Sequence, residues 1–599
     1  MKETNYSLSG EQTQQMKWPY KVGVTLFILG LLLLWNAYSY HFFLKEKLGT
    51  IIAFGSMLLG SFLFTYDPKH GFHLLSHYSR QSRATQLVAL FLGAGGLSIL
   101  LLSWIGIHFT PAKLWLGVSL GAMALSILLY TYGSYLGHPK GIKNNYNMFN
   151  SLTSRGLLGW TAGIVLTLFY IHLYWDSSRL EGMIRLFDPL AQLLTGKQAD
   201  QWFVYGSLYT FIIFFLGIKF MVKYRHNRYQ LVRTVVVIFS QVVLAYFLPQ
   251  IMEGLNYNNS SNAAGEYLGY YSGNPINSWP LNYDFFKPGT LKAYAQEAYQ
   301  PVGMAYLFWG ILLFLIVTPV VTYLVGKRWY CSWFCGCGGL AETAGDSFRH
   351  LSSKSTLSWK IERWVIHSVM VFILIMTIAV LWPFISKSEY VIGMFVVNKD
   401  LFFILASVVL LGLGFLFYRW YAKGGKKNNI LLAGVVIVAI IVVLLTIAYF
   451  TGGKNVFMIK STTLKKSYGF FVGAAFSGVI GVGFYPVLGN RVWCRFGCPM
   501  AGYMGIFQRF KSRFRITTNG GQCISCGNCS TYCEQGIDVR AYAQRGQNIV
   551  RASCVGCGIC SAVCPRGVLK LENGEEEDRI REESSLIGLL QDGELDRKL

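Results

Sequence analysis

All 13 cysteines of the chain lie between Cys331 and Cys564, in tight groups. Eight fall in two runs, Cys523-x2-Cys526-x2-Cys529-x3-Cys533 and Cys554-x2-Cys557-x2-Cys560-x3-Cys564. This spacing holds [4Fe–4S] clusters, and in paired runs the fourth cysteine of one run ligates the cluster of the other. One cluster is therefore expected on Cys523, Cys526, Cys529 and Cys564, and a second on Cys554, Cys557, Cys560 and Cys533. Three thiolates at three-residue intervals can reach three irons of one cube from a single tight loop, and the distant fourth closes the cage. Gly527, Gly556 and Gly558 let that loop turn and bring backbone N–H groups toward the sulfurs. Zinc knuckles or a disulfide framework are the competing uses of cysteine. Two identical four-cysteine runs with no histidine between them favour clusters.

The other five cysteines form a repeat. LVGKRWYCSWFCGCGG carries Cys331, Cys335 and Cys337, and VLGNRVWCRFGCPM carries Cys494 and Cys498. Aligned on Gly326/Gly489 and Arg328/Arg491, each copy places a C-x3-C pair just beyond an apolar run, expected on one helical face. Three readings stand: the pairs meet and hold a further iron–sulfur centre, with Cys337 as an extra or substitute ligand; they form redox dithiols; or they only pack. Thiols near helix ends and arginines suit either chemical role.

Stepping from these residues to what must position them, 53% hydrophobic and 14% charged residues describe a polytopic helical membrane protein rather than several soluble domains. About twelve runs could span a bilayer, near 22–40, 48–66, 86–108, 114–134, 157–175, 202–222, 232–249, 302–325, 364–385, 401–418, 429–450 and 469–488. With the N-terminus inside, loops such as KHGFHLLSHYSRQSR and KYRHNRY place Lys and Arg on the inner face, and an even number of spans returns the cysteine-rich C-terminus there. The net charge of +24 then reflects cytoplasmic loops rather than nucleic-acid binding. No cleavable signal follows the polar residues 1–20.

The expected organisation is a transmembrane bundle over 1–250, an outer loop over 251–301 and a second bundle over 302–505 carrying both C-x3-C motifs. An interfacial basic and aromatic helix over 506–518 follows, then the cluster domain over 519–572 and an acidic tail over 573–599. In the 506–518 stretch Phe507, Phe510 and Phe514 alternate with Arg509, Lys511, Arg513 and Arg515, a pattern that suits the anionic inner leaflet. His108, His172 and His367 at span ends, and His70, His73 and His77 in one loop, read as satisfied interfacial side chains rather than haem ligands.

The paired C-x3-C motifs at span ends, followed by the two-cluster segment, resemble the membrane polyferredoxins. These include the nitrous-oxide-reductase regulator, the periplasmic nitrate reductase membrane ferredoxin and the cytochrome-oxidase accessory ferredoxin types. The resemblance covers about residues 300–570. It implies a bacterial-type two-[4Fe–4S] ferredoxin domain and electron transfer between the quinone pool, or a cytoplasmic donor, and a redox protein partner. Gly336-Cys337 stands where that family has proline, Cys533 is followed by Glu534 rather than proline, and no flavin-attachment motif is present.

The chain is thus expected to be an iron–sulfur electron carrier of the bacterial inner membrane, with both its N-terminus and its ferredoxin domain cytoplasmic. The lipid membrane and redox proteins are its expected partners, and quinone a candidate reactant at no locatable site. A redox regulator or metalloenzyme assembly factor is the alternative from another class. No hydrolytic or group-transfer constellation is visible. A transporter is disfavoured by the scarcity of charge within the spans.

Overall fold

The computed structural model describes residues 18–40, 46–65, 83–136, 150–262, 276–287, 291, 302–386, 390–392, 395–423, 429–453, 455–457, 459–519 and 522–574. Among these, nine helices are long and apolar enough to cross a membrane: Ala84–Trp104, Ala112–Leu136, Leu157–Trp175, Gln201–Lys223, Arg228–Leu255, Gly303–Val325, Thr356–Ile385, Lys399–Arg419 and Leu432–Thr451. Each coincides with an expected span. The first two expected spans correspond to Trp18–Tyr40 and Glu46–Thr65. Glycine lets this pair pack backbone to backbone: a Cβ on Gly30 would stand 2.5 Å from the Ala53 carbonyl oxygen, and one on Gly60 2.5 Å from that of Gly23. Between Ala84–Trp104 and Ala112–Leu136, Ser119 and Ser126 donate to the Gly96 and Ala89 carbonyls at 2.7 and 2.6 Å.

Three expectations need correction. The run 469–488 is not one continuous span. Ser461–Tyr468 runs on into π-helical Gly469–Ile480, the chain then turns, and only Tyr485–Leu488 is helical again. Glycines at 478 and 483 allow this: a Cβ on Gly478 would meet the Tyr170 ring at 2.6 Å, and one on Gly483 the Val479 carbonyl at 2.4 Å. The helix expected to end at 249 continues as Leu248–Asn262, into the stretch assigned to the outer loop. Most of the remaining loop lies outside the described residues. Its described part packs inward, with Trp279 buried and donating to Thr377 Oγ1 at 2.9 Å.

The third correction concerns 506–518. The helix there is Pro499–Lys511, which takes in only the first part of that stretch, and Phe514–Thr518 is a strand. That strand pairs antiparallel with Leu569–Asn573, Ile516 facing Leu571, and all five of its residues are buried. Consecutive Ile516, Thr517 and Thr518 favour extended backbone, and the partner strand lies about fifty residues on, beyond any local pattern. Residues 514–518 therefore belong to the ferredoxin sheet rather than to an interfacial helix. The acidic tail and residues 1–17 lie outside the described residues.

Between spans, Glu181–Thr195 forms an amphipathic helix that the apolar runs did not reveal, burying Met183, Leu186, Phe187 and Ala191 along one face. It ends at Gly196 with φ +72°, a left-handed stop suited to glycine.

Candidate functional site: three cysteine groups at one end of the bundle

The two C-terminal runs share one local design. Gly527 (φ +78°) and Gly558 (φ +74°) each turn the chain into a short helix, Asn528–Thr531 and Ile559–Ala562, which carries the third cysteine of its run. Around Cys529 stand Cys523, Cys526 and Cys564, and around Cys560 stand Cys554, Cys557 and Cys533. The runs are thus interleaved, each group taking its fourth cysteine from the other run. Cys529 is also within electrostatic reach of Cys560, so the two groups are neighbours. The sheet of Phe514–Thr518 and Leu569–Asn573 closes the domain, whose core contains Phe514, Ile516, Ile537, Val539, Ile549 and Leu569 among the cysteines.

The groups have the character that an anionic cluster requires. Cys523, Cys526, Cys529 and Cys564 line one cavity, and Arg540, whose buried Nε lacks a hydrogen-bond partner, lines it too. Burial pushes the Cys529 thiol up to about 12 and that of Cys554 up to about 11, so these sulfurs favour the thiolate form only beside a cation such as iron. Among the described residues no three Cys, His, Asp or Glu side chains stand close enough to hold a single metal ion.

The second motif pair shows the repeat in three dimensions. Gly326 (φ +73°, ψ 173°) and Gly489 (φ +99°, ψ 171°) adopt the same backbone at the ends of Thr318–Val325 and Tyr485–Leu488. Each is followed by a wide turn, Trp329–Phe334 or Trp493–Gly497, that contains Cys331 or Cys494. Cys335 and Cys498 then cap the next helices, Gly336–Thr343 and Pro499–Lys511. The paired cysteines do not share one helical face, as the i, i+4 spacing suggested. The helix breaks between them, with Cys335 N–H donating to Tyr330 O at 2.8 Å and Cys498 N–H to Trp493 O at 2.9 Å.

These two turns meet. Cys331, Cys335, Cys494 and Cys498 lie within mutual electrostatic reach, and Cys337 lies near Cys335, Cys494 and Cys498. Cys331, Cys494 and Cys498 are buried in one core with Tyr330, Trp493, Met500 and Met504. The Cys337 thiol donates to Cys335 and draws that thiol below its ordinary value, whereas burial pushes Cys331 up to about 12. Gly338 sits at the closest approach, where a Cβ would lie 2.0 Å from the Cys331 carbonyl oxygen. Gly338→Ala is expected to spread the Cys331–Cys337 turn and abolish any metal bound there, while the eight C-terminal cysteines keep theirs. Iron content together with the optical spectrum of the purified variant checks this, and wild-type iron content would refute it.

The ferredoxin domain is seated directly on this turn. Ser332 Oγ donates to Val555 O at 2.8 Å, Gln230 Nε2 to Cys557 O at 2.8 Å, Arg233 Nη1 to Cys557 O at 2.6 Å and Gln508 Nε2 to Cys554 O at 2.7 Å. Cys557 packs against the same core as Cys331, Cys494 and Cys498. The seat comes partly from the N-terminal half: Tyr229, Gln230 and Arg233 open the span Arg228–Leu255, and Tyr229 OH donates to Gly556 O at 2.8 Å.

A buried ionic network joins these groups. Arg491 reaches Glu342 Oε1 at 2.7 Å, Glu534 Oε1 at 3.0 Å, Cys331 O at 3.2 Å and Cys494 Sγ at 3.5 Å. Arg233 pairs with Glu342 at 3.0 Å, Arg349 with Glu534 and with Asp346 at 2.8 Å, and Lys223 with Asp346 at 2.6 Å. Arginines hold Glu534 below the usual carboxylate range despite burial. Motif reading missed this network. Its signals were Glu534 in place of the family's proline and Arg233 inside an apolar run. The motif-equivalent arginines differ in role: Arg491 is 1% exposed, whereas Arg328 stacks on Phe514 with its guanidinium carbon 4.9 Å from the ring centroid.

Among the described histidines His108 is exposed, and His172, His350 and His367 each make a single side-chain hydrogen bond. His172 Nδ1 accepts from Trp104 Nε1 at 3.0 Å, His367 bonds the Arg363 carbonyl, and His350 Nε2 lies 2.8 Å from Thr153 O. His70, His73 and His77 lie outside the described residues.

This fold and cysteine arrangement agree with comparisons to known proteins. Residues 522–569 match a 4Fe-4S dicluster domain, and 307–355 and 469–517 each match a 4Fe-4S binding domain. The last two matches cover the two C-x3-C repeats. These matched segments are similar to polyferredoxin-type iron–sulfur proteins, and the apolar helices are consistent with a membrane protein. Among curated proteins the chain is similar to YccM of Escherichia coli (strain K12), named for electron transport, with 38% identity over 50 residues. That stretch is 8% of this chain and 14% of YccM, so the chain matches about a seventh of its relative. No solved structure matches it.

Proposed function

We propose that the chain is a membrane-bound electron carrier whose three cysteine groups form a path from the water-exposed edge of the ferredoxin domain into the bundle. Cys523, Cys526, Cys529 and Cys564 would hold the first [4Fe–4S] cluster, and Cys554, Cys557, Cys560 and Cys533 the second. Cys331, Cys335, Cys494 and Cys498 would hold a third at the membrane edge, with Cys337 hydrogen-bonded to Cys335. When bound, such clusters supply one-electron transfer at potentials set by burial and hydrogen bonding. The carrying observation is contiguity: Cys529 reaches Cys560 within the domain, and Cys557 shares a core with Cys331, Cys494 and Cys498.

The chain's own residues bind, orient and exclude water. Ser332, Gln230, Arg233 and Gln508 hold the Cys554–Cys557 loop by its carbonyls, and Arg491 donates to the Cys494 sulfur. Arg233, Arg349, Arg491, Lys219 and Lys223 face the buried carboxylates of Glu342, Glu534 and Asp346, an excess of buried positive charge that anionic clusters on either side would balance. The cysteine end also gathers Arg225, Arg228, Lys327, Arg328, Lys354 and Arg363, which by the positive-inside rule supports a cytoplasmic placement. The electron donor would then be cytoplasmic or quinol, and the acceptor a redox protein of the membrane or outer face.

Iron and acid-labile sulfide in anaerobically purified protein, with low-temperature EPR after reduction, test the reading. About twelve irons per chain are expected, and about eight would leave the membrane-edge group as thiols. Zinc without coupled cluster signals would overturn the whole reading. The Cys335–Cys337 hydrogen bond favours a second reading at the membrane edge, a redox dithiol serving a regulator or assembly factor, and the eight-iron result would select it.

A further inference from the structure

We propose that the exposed face of the first cysteine group is the docking site of a small acidic electron-carrier protein of the flavodoxin or ferredoxin type. The inference rests on the function proposed above and names the partner class of that path. The three groups differ in access to water. Cys526 is exposed, whereas Cys554, Cys560, Cys331, Cys494 and Cys498 are buried and Cys557 packs against the bundle core. A soluble protein therefore comes near the path at Cys526.

The surface there has the makeup of a transient redox contact. Over residues 522–574 the exposed large apolar side chains are Ile524, 53% exposed, and Val550, 39% exposed. Ile524 stands between Cys523 and Cys526, at the tip of the loop. Arg540 and Arg566 line the cavity that these cysteines share, and no carboxylate lines it. Exposed Arg545 follows the helix Val539–Gln544, which Gln544 ties to the cysteine loop by donating to Ser525 Oγ at 2.7 Å. The domain's nearby acids are engaged elsewhere. Glu534 is buried against the bundle, and Asp538 accepts from Ser530 Oγ at 2.7 Å and caps its own helix.

A basic rim around one apolar tip selects an acidic partner by charge and contributes mainly to its rate of encounter. Weak electron-transfer encounters use small interfaces of this kind. A lipid surface fits less well, because interfacial binding needs a continuous apolar face to sink below the headgroups, and a single isoleucine at the loop tip does not supply one. The step is one outer-sphere electron: the reduced carrier loses it and the first cluster gains it, with no bond made or broken and no proton moved.

The test uses the full chain in lipid nanodiscs, with an acidic flavodoxin as the probe, and reads its dissociation constant against ionic strength. Wild-type binding is expected to weaken with salt, and Arg545→Glu/Arg566→Glu to weaken it about tenfold at low salt. Ile524→Ser, which alters no charge, is expected to weaken binding without changing its salt dependence. EPR of each variant separates this inference from the one beneath it. Normal cluster signals with unchanged affinity in the charge-reversal protein overturn the docking site alone, whereas missing signals in the wild type overturn the proposed function. Binding of phosphatidylserine vesicles to this face, lost on charge reversal while flavodoxin fails to bind, would also overturn the docking site.

Discussion

Serine in place of Cys494 is expected to remove about four irons from each chain while leaving the two-cluster EPR spectrum of the ferredoxin domain intact. Cys494 is 8% exposed and stands where the repeats meet, near Cys331, Cys335 and Cys498 and 3.5 Å from Arg491 Nη1. A serine oxygen fits the space but is a poor iron ligand, so the loss is chemical rather than steric. Electron transfer between the ferredoxin domain and the bundle should fail with it, because the membrane-edge group is the one that shares its core with Trp279 and Phe285 of the connection before Gly303–Val325. The same iron content in Cys494→Ser and wild type would show that the group holds no cluster. Cys337→Ser separates ligand from neighbour: it should retain the iron if Cys337 only donates to Cys335.

Replacing Arg491 with methionine is expected to destabilise the seating of the ferredoxin domain by about 3–5 kcal/mol, the usual cost of removing one partner from a buried ion pair. Methionine matches much of the side-chain volume, so the loss reports charge rather than a cavity. Glu342 and Glu534 would remain buried, at 2% and 1% exposure, with Arg233 and Arg349 as their remaining cationic partners. The Cys331 carbonyl and the Cys494 sulfur would lose a donor as well. The signature is a lowered thermal midpoint in detergent together with exposure of the Cys554–Cys557 loop to thiol alkylation. Arg491→Lys should fall between, since one ammonium cannot span four acceptors on three segments. A wild-type midpoint in Arg491→Met would mean that the network contributes little to the seat.

Both effects turn on residues whose importance was unevenly visible in the one-dimensional chain. The C-terminal cysteines were legible because cluster ligation is mostly local: three sulfurs three residues apart sit on one loop whatever surrounds it, and the crossed fourth ligand follows from pairing two such loops. The spans were legible because each must be apolar along its own length. The repeat of Gly326 and Gly489 was also legible, and both glycines keep one backbone conformation.

Other features needed the tertiary structure. Arg328 and Arg491 occupy equivalent motif positions, yet one stacks on the ferredoxin sheet and the other is buried between three cysteine-bearing segments. Which of the two goes inward depends on Glu342 and Glu534, 149 and 43 residues away along the chain. Phe514–Thr518 looked like the end of a basic amphipathic helix until its partner strand at Leu569–Asn573 was in place.

The residue types and spacings alone therefore determined the cofactor class, the grouping expected of the eight C-terminal thiols and the apolar helices, because each is a short-range property of the backbone or of one helix in lipid. Only the tertiary structure decided that Cys331 and Cys494, 163 positions apart in the sequence, meet beneath the ferredoxin loop. It also decided that a span of the N-terminal half, through Gln230 and Arg233, helps hold that loop. Those contacts depend on how separate helices pack and on buried charges finding partners, and no local pattern encodes either.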